Sequence, residues 1–196
     1  FLKRIGAPAP GKKKLKHFIP MGSLNKVNTR NELESWLGRI NCLDRDIVLS
    51  HKLDGLSLNL VYEDGQFVAA ITRGDGRLGE DCTRNIVNVP MRVDPSILNV
   101  RGEAIIHKTD WEKHFSDSAN PRNAVAGTVR REDGMGKEFV RFYAFDVITT
   151  GQFIDTEVSL MAVLQKNGFA VPWHKLVIDV HTLWNTFEKQ EKSRDS

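Results

Sequence analysis

The chain has 196 residues, enough for one full domain or one domain and a fragment. Hydrophobic residues make up 40% and charged residues 27%, with 28 Lys and Arg against 25 Asp and Glu for a formal charge of +3. Such usage excludes a disordered, collagen-like or coiled-coil chain, and the mild basic excess does not by itself identify a nucleic-acid binder.

Residues 1–20 carry Lys3, Arg4, Lys12, Lys13, Lys14 and Lys16 among Pro8, Pro10 and Gly11. Proline blocks regular helix and the lysines repel one another, so a loose basic lead-in is expected, either solvated or in contact with phosphate. The rest, 21–196, reads as one domain. Thr29 can cap a helix, with Glu32 three residues on completing a capping box. Leu33, Trp36, Leu37 and Ile40 recur at helical spacing, and the helix should stop near Asn41.

Beyond Ile47 the period changes to two. Leu56, Leu58, Leu60 and Tyr62 alternate with Ser57, Asn59 and Val61, which predicts a half-buried strand. Asp64-Gly65 is a hairpin signal, and Phe67–Thr72 is the return strand. A loop dense in glycine and charge follows from Arg73 to Asp81. Short strands are expected at Leu98–Val100, Ala104–Ile106 and Phe139–Asp146, with a short helix at Asp110–Phe115. Leu160–Asn167 reads as a helix closed by Gly168, Val171–Val180 contains a strand, and Thr182–Glu191 reads as a helix. The mixture predicts an α+β fold with antiparallel sheets and flanking helices.

Two cysteines, Cys42 and Cys82, stand far apart with no C-x-x-C pair, which argues against a zinc ribbon or disulfide framework and suits a reducing cytoplasm. The six histidines show no metal-ligand spacing. No run approaches the roughly 18 apolar residues of a membrane span, so no membrane partner is expected. The chemical interest begins at Lys52-Leu53-Asp54-Gly55. On extended backbone Lys52 and Asp54 face the same way, and Gly55 lets the chain pass close to a ligand. A lysine becomes a covalent nucleophile when its amine is unprotonated. By itself the string also fits an ordinary surface turn.

Its company in the chain is more specific. Pro20-Met21-Gly22-Ser23-Leu24 stands upstream. Downstream come Thr72-Arg73-Gly74-Asp75-Gly76, then Glu80-Asp81-Cys82-Thr83 with Asn85, then Val100-Arg101-Gly102-Glu103-Ala104. Asn120-Pro121-Arg122-Asn123-Ala124 follows, running to Arg130. This ordered series resembles the adenylation (nucleotidyltransferase) domain of NAD-dependent DNA ligases from about residue 17 to 148, and more loosely to the end.

The resemblance implies an ATP-grasp-like DNA ligase adenylation fold and a ligase chemistry. Lys52 would take AMP from NAD, release nicotinamide mononucleotide, and pass AMP to the 5′-phosphate of nicked double-stranded DNA. Asp54 matches the carboxylate that assists, and Glu103 the glutamate near the nucleotide sugar. Arg73, Arg122 and Arg130 match arginines around the nucleotide and the nick phosphate. Ser23 and Leu24 match the lining of the adenosine pocket, and Phe145 the ring placed against adenine. Magnesium (Mg2+) is expected from phosphoryl chemistry, with no ligands assigned. A cytoplasmic location in a bacterial or phage-infected cell is also implied.

Two departures stand out. Ser50 occupies the position where the family carries a glutamate that reads the adenine amino group; a hydroxyl can still hydrogen-bond but carries no charge. The later D-G-V-V-x-K-type strand and its lysine are not found, and Arg194 matches an arginine just before it. An incomplete nucleotidyltransferase is therefore expected; a split enzyme whose second ligase subunit carries the missing strand is the favoured reading, and a fragment of a single-chain ligase is the next. Two alternatives remain at this point: an ATP-dependent ligase of the same superfamily, and a non-catalytic DNA-binding or interaction module.

Overall fold

A computed structural model describes residues 13–194 other than 44 and 152. In chain order the elements are β1 (Lys14–Lys16), α1 (Arg30–Arg39), β2 (Ile47–Ser50), β3 (Leu56–Glu63), β4 (Gln66–Thr72), β5 (Leu78–Glu80), β6 (Ile97–Ile105), α2 (Lys108–His114), α3 (Pro121–Thr128), β7 (Arg141–Thr149), α4 (Glu157–Lys166), β8 (His174–Val177) and α5 (Val180–Arg194). They form two compact units. The first joins the segment ending at Gly22 to Lys52–Pro172, and the second joins Ser23–His51 to the segment starting at Trp173. The α+β class with antiparallel sheets is as expected from the sequence. The 21–196 stretch read as one domain is distributed over both units, and the described part of the lead-in packs with the first.

The first unit is built on an antiparallel sheet of order β4-β3-β6-β7. The β3–β4 hairpin turns at Asp64 and Gly65, with φ of 49° and 74°, as the Asp-Gly signal predicts. Leu58, Leu60 and Tyr62 of β3, Ala70 of β4, Val100 and Ala104 of β6, and Phe142 and Ala144 of β7 form one buried core. Ala124 and Val125 of α3, and Met161 and Leu164 of α4, belong to the same cluster. Directly paired residues of antiparallel strands share a face. The pairs Ser57–Glu103–Tyr143 and Asn59–Arg101–Asp146 therefore lie together on the face opposite the core.

Four local features differ from expectation. Residues Lys14–Lys16 of the lead-in are a strand, paired with β5. The two strands expected around residue 101 are one nine-residue strand, β6. Gly102, between the two expected strands, allows a close approach within the sheet: a Cβ there would strike the Tyr143 carbonyl and the Phe142 ring. Helix α3 was not expected, although Asn120 caps it through its side chain, 2.8 Å from Asn123 N, and Pro121 occupies its first turn. Gly55 does allow a close approach, but to protein: a Cβ there would meet the Ala104 carbonyl.

The second unit pairs β2 with β8, from Ile47–Val177 to Ser50–His174. Leu33 and Leu37 of α1, Val177 and Leu183 form its buried cluster, with Trp36, Ile47 and Trp184 against it. The capping box is present: Thr29 Oγ1 accepts from Glu32 N at 3.2 Å, and Glu32 Oε2 accepts from Thr29 N at 3.2 Å. Asn41 ends the turn with φ of 55°, where the sequence places the helix stop.

Candidate active site

Lys52 and Asp54 lie on the exposed extended segment that leads into β3. Among the described residues the Lys52 amine has no hydrogen-bond or ion-pair partner. Asp54 Oδ1 accepts a 2.6 Å hydrogen bond from the Arg122 guanidinium at the start of α3. Both side chains of that pair are more than half exposed, so it contributes little to stability; it fixes where two charges sit.

Behind this segment the polar face of the sheet supplies the next group. Glu103 Oε1 accepts from Gly55 N at 3.2 Å, and its Oε2 accepts from Ser57 Oγ at 2.7 Å. Gly55 and Ser57, alternate residues just after Asp54, thus hold one carboxylate by both oxygens. Arg73 N donates to Ser57 O at 2.9 Å, which brings the Arg73 backbone to the same edge. The Arg73 guanidinium makes no hydrogen bond or ion pair among the described residues.

Phe145 lies on β7 where the register slips: Gly102 pairs with Ala144 and Arg101 with Asp146, leaving Phe145 as the extra residue of a bulge. Bulges re-aim a side chain, and Phe145 is 38% exposed in a sheet otherwise rich in covered aromatics. Next to it, Arg101 Nη1 reaches Asp146 Oδ2 at 3.5 Å, and Arg101 Nη2 donates to Ile19 O at 2.6 Å. Burial raises the Asp146 carboxyl above its ordinary value, opposed by the Arg101 charge. His17 Nε2 lies 3.1 Å from Thr72 O and 3.2 Å from Arg73 O, so the lead-in is tied to the start of the glycine-rich loop. In that loop Asp75 Oδ1 accepts from the amides of Arg77 and Leu78, both at 2.8 Å. Those two bonds hold its carboxyl below the usual carboxylate range.

Arg130 has a second role beside the one its motif suggests. Its Nε donates to Glu80 Oε2 at 2.7 Å and its Nη1 to Ala126 O at 3.2 Å. Asn85 Nδ2 reaches the carbonyls of Thr128, Val129 and Arg131 at 3.2, 3.0 and 2.8 Å. A buried amide thereby satisfies the end of α3, just where Arg130 leaves it.

The other candidate residues belong to the second unit. Ser23 and Leu24 are exposed, Leu24 at 82%. Ser50 is the exposed last residue of β2, paired with His174. Arg194 closes α5, and its side chain lies outside what is described. Ser57, Glu80 and the Arg101–Asp146 pair were not assigned roles from sequence. The alternation of β3 could have drawn attention to Ser57, because it puts a hydroxyl on the same face as Asn59. The Glu80–Arg130 pair joins residues 50 positions apart and left no local signal. Among the described residues no three His, Cys, Asp or Glu side chains cluster to hold a metal ion.

Comparison with known proteins points the same way. The family profile of the NAD-dependent DNA ligase adenylation domain matches residues 11–196. The chain is 35% identical to a DNA ligase of Sorangium cellulosum, over 90% of this chain and 30% of that protein. It is 34% identical to a DNA ligase of Nitratiruptor sp., over 98% of this chain and 32% of that protein. A DNA ligase of Acetivibrio thermocellus is 35% identical, again over 98% and 32%. The chain thus spans about a third of the length of the curated relatives it matches. In each of them the matching region lies inside one longer polypeptide, which gives no support to the expected second subunit.

Proposed function

Because the chain belongs to the NAD-dependent DNA ligase adenylation domain family, we propose that it is the adenylating part of a DNA ligase, with Lys52 as the nucleophile and nicked duplex DNA as the final acceptor. The observation that carries this reading is the clamp on Glu103 by Gly55 N and Ser57 Oγ. It holds a carboxylate rigidly beside the segment that bears the lysine, on the polar face of a packed sheet. Phosphoryl transfer asks mainly for positioning and charge stabilisation, and a site built on strands is more precise than one built on loops.

In this reading the unprotonated Lys52 Nζ bonds to the adenylyl phosphorus of NAD. The bond between that phosphorus and the bridging oxygen breaks, nicotinamide mononucleotide leaves, and the amine gives up its remaining surplus proton. Asp54, turned by its pair with Arg122, assists there. A 5′-phosphate oxygen then bonds to the same phosphorus and Lys52 departs; the 3′-hydroxyl finally displaces AMP. Glu103 meets the nucleotide sugar and the exposed Phe145 ring lies against adenine, where a planar apolar face suits a base. Arg73, with its uncommitted guanidinium, meets nucleotide phosphate. Arg122 and Arg130 meet the nick phosphate, and for both this means sharing a guanidinium already paired to a carboxylate. By the family resemblance, Ser23, Leu24, Ser50 and Arg194 are further candidates for adenosine recognition. Ser50 contributes a hydroxyl where a carboxylate would be stronger.

The test is the donor. Incubation with NAD should release nicotinamide mononucleotide in step with covalent AMP, up to one per chain, and ATP should give none. Adduct from ATP alone would move the chain to an ATP-using ligase. Salt-sensitive DNA binding without any adduct would leave only a binding module.

A further inference from the structure

The basic lead-in is the one sequence feature that the proposed chemistry does not use. Its described part forms a ribbon with β5, and the register determines what that ribbon displays. Lys14 pairs with Glu80 and Lys16 with Leu78. Paired residues share a face, as do alternate residues of one strand, so Lys14, Lys16, Leu78 and Glu80 form one side of the ribbon. Leu15 and Gly79 form the other. The burial agrees: both lysines are exposed, whereas Leu15 is half-buried.

The charges on that side do not balance. Glu80, 7% exposed, is already engaged by Arg130, which keeps 37% side-chain exposure. Among the described residues neither Lys14 nor Lys16 has an ion-pair partner. Lys14 and Lys16 therefore add two positive charges beside an anion that is already engaged, on a protein whose total formal charge is only +3. Lysine is a hydrated point charge on a long stem and suits sequence-independent contact with phosphate. Two lysines at alternate strand positions stand about 6.6 Å apart, far enough for each to meet its own phosphate.

We propose that the Lys14–Lys16 face of the β1–β5 ribbon binds the phosphodiester backbone of the DNA duplex, continuing the surface begun by Arg130 away from the nick. This rests on the ligase reading given above, which supplies the duplex and the Arg130 contact. The ribbon acts by holding the flank of the substrate and takes no part in the transfer of AMP. Lys14 stands opposite Glu80, the residue that Arg130 holds, so the lysine pair adjoins the Arg130 contact.

The experiment measures binding of nicked duplex of unrelated sequences across a range of salt concentrations, for the wild-type chain and for the Lys14→Ala/Lys16→Ala double variant. Both side chains are exposed and have no ion-pair partner among the described residues, so their removal leaves the packing intact. The salt slope of the double variant is expected to fall by about 2, near 1 for each lysine, with affinity loss similar for all sequences. The Lys14→Arg/Lys16→Arg variant should keep the wild-type slope. An unchanged slope in the alanine variant, or wild-type binding with no salt dependence, would overturn the proposal. Failure of the ligase reading would show elsewhere, as absence of covalent AMP from NAD on the wild-type chain.

Discussion

On one face of the four-stranded sheet, Leu58, Leu60, Val100, Ala104 and Ala144 have no exposed surface at all. On the other face, Ser57, Arg101, Glu103 and Asp146 hydrogen-bond to one another or to neighbouring backbone and keep part of their surface open. The same strands make both. Alternation sends one set of side chains to the helices and the other to the candidate site, so packing on the first face determines geometry on the second. A site made this way needs few residues of its own to be precise. Glu103 is held by two hydrogen bonds, but its position is set by apolar neighbours one residue either way.

The contrast can be broken most completely at the lysine. Lys52→Ala should leave the fold intact and abolish covalent AMP, because no other described side chain shares its place at the head of β3; intact mass after incubation with NAD reads this directly. On the core face, Leu60→Ala should cost about 2–5 kcal/mol of unfolding free energy, measured by urea titration, with adduct formation per folded molecule unchanged. On the polar face, Glu103→Gln keeps the shape and removes the charge. Adduct formation should slow by about 10²-fold, the scale of losing one preorganised electrostatic contact, with the urea midpoint little moved.

The smallest effect concerns pH. Burial raises the Asp146 carboxyl in the folded chain, so the native state keeps this proton to higher pH than the unfolded state does. Its contribution is fully present below the ordinary carboxylate value and is lost as pH rises through the raised native one. Asp146→Asn should remove that decline, so thermal midpoints of wild type and variant should diverge on going from acid to neutral pH. The difference should be small, since the Asp146 side chain keeps 37% exposure.

How much of this was legible in the sequence depended on distance along the chain. Local signals were read correctly where chemistry is local: the Thr29–Glu32 capping box, the Asp64-Gly65 turn, and the alternation from Leu56 to Tyr62. The continuity of β6 through Gly102 is not a local signal, because it depends on the Tyr143 carbonyl and the Phe142 ring across the sheet. Helix α3 was overlooked although Asn120-Pro121 is a helix start, because the stretch was read for its arginines. Nothing local could have paired β1 with β5, joined Ser23–His51 to residues beyond Trp173, or told that Arg130 meets Glu80. The bulge that exposes Phe145 is likewise a property of two strands together.

The central claim is that the polar face serves one nucleophile at its edge. Peptide mapping of the chain after incubation with NAD tests it most directly, with Lys52→Ala and Glu103→Gln alongside. The account predicts AMP on Lys52 in the wild type, less of it at the same site in Glu103→Gln, and none in Lys52→Ala. AMP on a different lysine, or an unmodified Lys52 in a chain that is folded and exposed to NAD, would contradict it.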